Sequence, residues 1–302
     1  MTENNKAIVV YVDDTPRCLE EFSWLLKSWL LWGLESEFDI VAYHNPTADS
    51  KIPDHPNLIK RPQAPRHETH PFWDEYRFVN SFAMFYPFEE EEWIKKNYTH
   101  IMKTDCDVFL TKHLLGRKPA KVLLGLGGYM HWHQDINKNH AGETTNKIIE
   151  VAKKLGCRYD HINHVGASLF GPTNLVVDVV NFQFTTTEYL LKNEWLTSPG
   201  EHLKWYKGVA SMYAVQIAVN HLLSRQHVIA YAIDTVCWQS TIINEDVIHI
   251  HAWHTEQMFS KHCWFRGEYE KLVADAVPIN AAEYCLWIAS NDLNELKKVA
   301  NT

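Results

Sequence analysis

Short runs of apolar, β-branched residues alternate along the chain with stretches in which apolar positions recur every three or four residues. The first run, Ala7 to Val12, is continuous enough for a strand buried on both faces. Asp13-Asp14-Thr15-Pro16 breaks it, and Pro16 stands where a first helical turn tolerates proline. Leu19 to Trp32 then carries an apolar stripe at helical spacing. Phe38 to Tyr43 reads as a second strand, ended by His44-Asn45-Pro46. A strand–helix–strand opening predicts a βαβ unit in a parallel sheet.

Residues 44–72 hold six prolines and much polarity, which predicts a long loop. A helix over Trp73 to Phe85 would carry Arg77 and Asn80, and a charged helix follows over Glu89 to Lys96. His100 to Thr104 reads as a strand that runs directly into Asp105-Cys106-Asp107. Lys121 to Leu126 is another strand, turned by Gly127-Gly128, and Thr144 to Leu155 is a helix with Gly156 as its C-cap. Gly166 to Pro172 reads as a strand and turn, then helices over Asn174 to Asn181, Thr186 to Lys192 and Val209 to Leu223. Val228 to Ile233 and Val247 to His251 are late strands, and Ala281 to Val299 is the last helix. With no internal repeat and no clear linker, residues 1–302 read as a single domain.

Bulk properties narrow the function without naming it. The formal net charge of -8 argues against a nucleic-acid partner, which calls for a basic face. Trp (12), Tyr (13) and Phe (13) are abundant, as carbohydrate stacking or a large core would each require. The six cysteines form no CxxC pair and no disulfide framework, so the chain reads as reduced. No signal peptide and no membrane-spanning run is seen, so the expected location is cytoplasmic, with a bacterial or viral origin in keeping with that.

The candidate chemistry lies at Asp105 and Asp107. Carboxylates at i and i+2 just past a strand end can converge on one divalent cation, and hard oxygen donors suit Mn²⁺ or Mg²⁺. An Asp-x-Asp alone is more often a solvated turn. Here its flanks, Tyr98-Thr99-His100-Ile101-Met102-Lys103-Thr104 before and Val108-Phe109-Leu110 after, set it in an apolar strand and an apolar turn. This segment resembles the DXD segment of GT-A glycosyltransferases, notably the Lys-Thr-Asp-x-Asp-Val-Phe form of fringe-like enzymes.

The resemblance implies a fold, an activity and a site. The fold would be α/β of GT-A (Rossmann-like) type, with a mixed, mostly parallel central sheet flanked by helices. A nucleotide-binding half would span about 1–125, and an acceptor and metal/diphosphate half about 126–302. A sugar would pass from a nucleotide-sugar donor, UDP by default, to a glycan or other hydroxyl acceptor. Asp105 and Asp107 would hold the metal, with Asp105 also facing the donor. GT-A enzymes often place a third ligand, a His, on a late strand and a diphosphate-binding Lys beyond it. His251 and Lys261 are the matching choices, with His249 and His254 as alternates; the glycogenin-type signature itself is absent, since Ala252 stands for Gly and Lys261 is further on. Val12, Asp13, Arg77, Asn80 and Lys103 are the remaining donor-side candidates, although Arg77 serves equally as a solvated helix charge. Pairing of a late His with a Lys leans toward a retaining outcome. Glu201 and Asp234 are base candidates for an inverting one.

Other constellations compete. His131-x-His133 with His249, His251 and His254 could build a zinc site, but the tight His-Glu-x-x-His signature is missing. No Gly-x-Ser-x-Gly elbow, Walker A loop or Gly-x-Gly-x-x-Gly loop is present. A nucleotide-sugar or glycan-binding protein without turnover and a metal-dependent nucleotidyltransferase stay open. The acidic Asp13-Asp14 turn opposes the latter, which needs a basic loop there.

Overall fold

The computed structural model describes residues 4–127, 140–162 (side chains from 143), 165–201, 204–252 and 259–301. As the sequence led one to expect, the fold is α/β, with a mixed central sheet of seven strands flanked by helices. Two compact units divide the chain: residues 1–63, 104–117 and 233–302 form one, and 64–103 and 118–232 the other.

The first unit opens with β1 (Lys6–Val12), α1 (Pro16–Leu31), β2 (Phe38–His44) and β3 (Leu58–Pro62). β2 pairs in parallel with both β1 and β3. β1 is buried along its whole length, as a continuous apolar run demands. The first helix starts where its capping residues say it should. Thr15 is extended, its hydroxyl accepts from the Cys18 N–H, and Pro16 follows at the first helical position. β3 corrects the expectation of an unstructured loop over 44–72. It is short, ends in proline and buries only Leu58 fully, so it carries almost no hydrophobic signal.

Later segments of the same unit supply a small three-stranded sheet, β5 (Val108–Leu110), β10 (His249–His251) and β9 (Thr235–Val236), with β10 central. Its support is aromatic. Trp24 of α1 stacks on Phe109 with ring centroids 5.4 Å apart and meets Phe259 edge-on at 5.5 Å. The Ser28 hydroxyl accepts from the Leu110 N–H at 3.0 Å, so α1 also fixes β5 by a polar tie. Phe109, Ile250, Trp287 and Ile288 lie in one buried cluster. The C-terminal helix expected over 281–299 is two helices, Ala281–Ser290 and Leu293–Ala300. Asp292 breaks it: its side chain accepts from the Glu295 N–H while the Glu295 carboxylate accepts from the Asp292 N–H, a reciprocal capping box.

The second unit holds β4 (His100–Lys103), β7 (Val165–Pro172), β6 (Val122–Leu126) and β8 (Val228–Ile233), adjacent in that order. β7 runs antiparallel to β4 and to β6. Gly171 is required there by its neighbour, since a Cβ would lie 2.9 Å from Val122 Cα; the glycine serves strand packing. The helix expected over 73–85 shrinks to a 3-10 turn, Arg77–Ser81, bounded by Pro71 and Pro87. The two helices expected over 174–192 are one, Thr173–Asn193. Its aromatic and β-branched middle has weak helix propensity, but Gln183, Phe184, Thr186 and Thr187 are all buried, and packing overrides propensity. The helix His140–Lys154 ends as expected at Gly156, which takes φ +70° while the Cys157 N–H bonds the Ala152 carbonyl.

Candidate metal centre

The acidic pair is held by the backbone on both sides. Thr104 donates its N–H to the Val9 carbonyl at 3.0 Å, and the Cys106 thiol donates to the Tyr11 carbonyl at 3.1 Å. Asp105 and Asp107 therefore stand beside the carboxyl end of β1, the end at which open α/β sheets bind ligands. Beyond the pair, the Asp107 carbonyl accepts from the Ala252 N–H at 2.9 Å, and His251 pairs with Val108 across the β5–β10 ladder. The ladder register thus brings residues more than 140 positions apart to one place.

Asp105, Asp107 and His251 each offer one donor atom, and these atoms lie within 4.8 Å of one another. Asp107 is buried, while Asp105 and His251 are half-buried. His251 Nε2 is 3.3 Å from Asp107 Oδ1, and the Lys261 ammonium meets the other oxygen, Oδ2. Glu21 of α1 lies 3.9 Å from Lys261 and pairs with Arg17 at 3.2 Å. Arg17 in turn reaches His262 Nδ1 at 3.3 Å and lies over the Phe265 ring.

These neighbours set the protonation of the site. Burial alone would push the Asp107 carboxyl up, but Lys261 and His251 beside it hold it well below the usual carboxylate range. Burial works against the His251 imidazolium too, yet Asp107 and Asp234 on either side raise it well above the usual imidazole range. Glu21 is pushed up, first by burial and then by the Asp107 charge. Two carboxylates and an imidazole form a donor set that could hold a metal ion, and an unprotonated imidazole nitrogen would become available as a cation displaced the proton.

The two strand histidines differ in how they are engaged. His249 and His251 share one face of β10, as alternation requires. His249 is fully buried; its Nε2 is 2.8 Å from Thr104 Oγ1 and its Nδ1 accepts from the Asp234 N–H at 3.2 Å. Both ring nitrogens are thus engaged by protein groups, and burial pulls the imidazole down to about 4, so it is neutral near pH 7. His251 is the one turned toward the carboxylates.

Of the other sequence candidates, Val12 is buried at the end of β1 and gives its carbonyl to the Asn45 N–H. Asp13 follows it, half-buried, with a carboxylate oxygen accepting from the Asp14 N–H. Arg77, Asn80 and Lys103 belong to the second unit. Arg77 is exposed, Asn80 is buried with its side-chain oxygen accepting from the Arg66 N–H at 2.7 Å, and Lys103 is buried with its ammonium 3.1 Å from the Ala167 carbonyl. Glu201 is exposed and paired with Lys204. His131, His133 and His254 lie outside the described residues. Sequence reasoning missed Glu21, which sits in no recognisable motif, and gave Thr104 no role although it stands within the Lys-Thr-Asp-x-Asp segment.

Residues 1–294 match the family model described as a domain of unknown function, DUF7164, and the chain belongs to that family. No curated protein matches the sequence. Among solved structures the chain is similar to the apo form of the bifunctional glycosyltransferase WbbM, at 12% identity and a TM-score of 0.49. That match covers 100% of this chain and 52% of the other, so the chain spans about half of WbbM. It is also similar to the galactosyltransferase LgtC in complex with donor and acceptor sugar analogues, at 8% identity and a TM-score of 0.48, covering 88% of this chain and 97% of that one. Likenesses at these values assign neither activity nor substrate. No helix among the described residues is long and apolar enough to cross a membrane.

Proposed function

We propose that the protein is a metal-dependent glycosyltransferase of GT-A type that takes a nucleotide-sugar donor, UDP-linked by default, and a glycan or other hydroxyl acceptor. The observation that carries this reading is the gathering of Asp105, Asp107 and His251 within 4.8 Å, with Lys261 against Asp107. In this reading Asp105, Asp107 and His251 hold Mn²⁺ or Mg²⁺. The bound cation would neutralise the diphosphate leaving group as the sugar departs. Lys261 is placed to add positive charge to the same phosphates, and Val12 and Asp13 lie at the strand end where a nucleoside would rest. The pairing of His251 with Lys261 favours retention of anomeric configuration.

A second reading has an observation of its own. Lys261 already neutralises Asp107, as it would in a nucleotide-sugar-binding protein without turnover. The assay that separates the two is release of free sugar from a panel of nucleotide sugars with and without Mn²⁺. Mn²⁺-dependent release supports the transferase, and the anomer formed reports the stereochemistry. Heat protection by a nucleotide sugar without any release supports the binding protein, and neither effect with any donor would reject both.

A further inference from the structure

Asp234 takes no part in the motif resemblance, and it is the least solvent-accessible acid near the site, with no exposed surface at all. A carboxylate so placed is strongly destabilising unless its charge is compensated. Its backbone adds a further demand, since φ is +56°, a left-handed conformation that glycine or asparagine adopts without burying a charge. A buried aspartate at this position therefore calls for a partner that needs the carboxylate.

Two imidazoles stand close to it. Asp234 Oδ1 is 3.5 Å from His249 Nδ1 and 3.4 Å from His251 Nδ1. The first approach is not a hydrogen bond to the carboxylate. His249 Nδ1 accepts from the Asp234 backbone N–H, so its proton sits on Nε2 and points to Thr104 Oγ1. That leaves His251, whose Nδ1–H can donate to Asp234 while Nε2 faces Asp107.

We infer that Asp234 is a positioning residue for His251: its carboxylate holds the imidazole with Nδ1–H turned inward and Nε2 presented to the carboxylates of Asp105 and Asp107. The inference rests on the metal-site reading above and replaces the expectation of Asp234 as a base with a supporting role. Ligating histidines are commonly oriented in this way by a carboxylate on the far ring nitrogen, and loss of that partner weakens metal affinity roughly 10- to 100-fold. Thr104 and His249 extend the arrangement: the residue preceding the acidic pair orients His249, and His249 fixes the backbone of Asp234. A single chain of contacts thereby couples the loop bearing two of the ligands to the strand bearing the third.

The test uses the full-length protein labelled with ¹⁵N and two readouts. Ring ¹H–¹⁵N spectra of the metal-free protein follow the His251 Nδ1–H proton, and Mn²⁺ electron paramagnetic resonance titration follows affinity. Asp234→Ala is expected to weaken Mn²⁺ binding about 10- to 100-fold and to expose the Nδ1–H proton to solvent exchange. Asp234→Asn keeps an acceptor oxygen and is expected to recover part of both. Wild-type affinity and an unchanged His251 ring in Asp234→Ala would overturn the inference while leaving the metal reading in place. Should Asp234→Ala not fold, Asp234→Gly removes the acceptor and suits the φ of +56°, and the same unchanged pair of readouts there overturns it. A protected Nδ1–H lost in the variants of a protein that binds no Mn²⁺ would do the reverse, sustaining the positioning role and ending the metal reading.

Discussion

His251 Nε2 lies 3.3 Å from Asp107 Oδ1, although the two residues are separated by most of the second compact unit in sequence. The separation is spanned by one ladder, in which β10 pairs with β5 so that His251 stands opposite Val108, the residue next to Asp107. The site is therefore as stable as that small sheet and the aromatic cluster behind it.

Removing Asp107 leaves Lys261 and His251 facing each other without their shared carboxylate. Breaking a largely buried pair in this way costs about 3 kcal/mol. Urea unfolding of Asp107→Ala should show a loss of that order in metal-free protein, and the double variant Asp107→Ala/Lys261→Met should recover a substantial part. Equal stability of the single and double variants would show that the ion pair is not what holds Lys261.

Trp24 supports the site from below through its stacking on Phe109. Trp24→Ala should destabilise the protein by about 3–5 kcal/mol, the range for a buried aromatic removed without collapse. Because Phe109 pairs with Ile250, next to His251 on β10, Mn²⁺ affinity should fall along with stability. A variant that loses stability and keeps full affinity would uncouple the cluster from the site.

Lys27 carries a pH signature. Its ammonium donates to the carbonyls of Ala289 at 2.8 Å and Asn291 at 3.2 Å, while burial pulls its pKa down to about 8. The unfolded chain keeps its proton to about 10.4. Between those values the unfolded state binds more protons, so this lysine makes stability rise as pH rises from about 8 to 10.4 and costs most below 8. The increment is on the order of 3 kcal/mol. Denaturant unfolding across that range should show wild type gaining relative to Lys27→Met; parallel curves for the two would contradict the shift.

The break between the last two helices has a local cause. Asp292→Ala removes the half of the capping box in which the Asp292 side chain accepts from the Glu295 N–H, and should cost about 1 kcal/mol, read as a lower urea midpoint with an unchanged slope.

The elements legible in the sequence are those whose burial is nearly complete. β1 and β2 carry apolar runs, Ala7 to Val12 and Ile40 to Tyr43, and α1 announces itself with Thr15, Pro16 and an apolar stripe. β3 escaped because one buried leucine gives no pattern, and the long helix over 173–193 because packing, not propensity, holds its centre. The Asp292-x-x-Glu295 box was readable and was overlooked within a longer periodic run. At the site, Asp105 and Asp107 stand out because strand and motif adjoin. The choice of His251, with His249 as an alternate, rested on resemblance alone, since alternation puts both on one face. Thr104 and Asp234, distant from the strand in sequence, distinguish them.

Whether Asp105, Asp107 and His251 hold a divalent cation is read out by Mn²⁺ titration of the full-length wild type, Asp105→Ala, Asp107→Ala and His251→Ala, followed by electron paramagnetic resonance. One saturable Mn²⁺ per wild-type chain is expected, with an affinity at least tenfold weaker in each variant. Wild-type binding that survives all three substitutions, or no binding in the wild type with nucleoside diphosphate present, would contradict it.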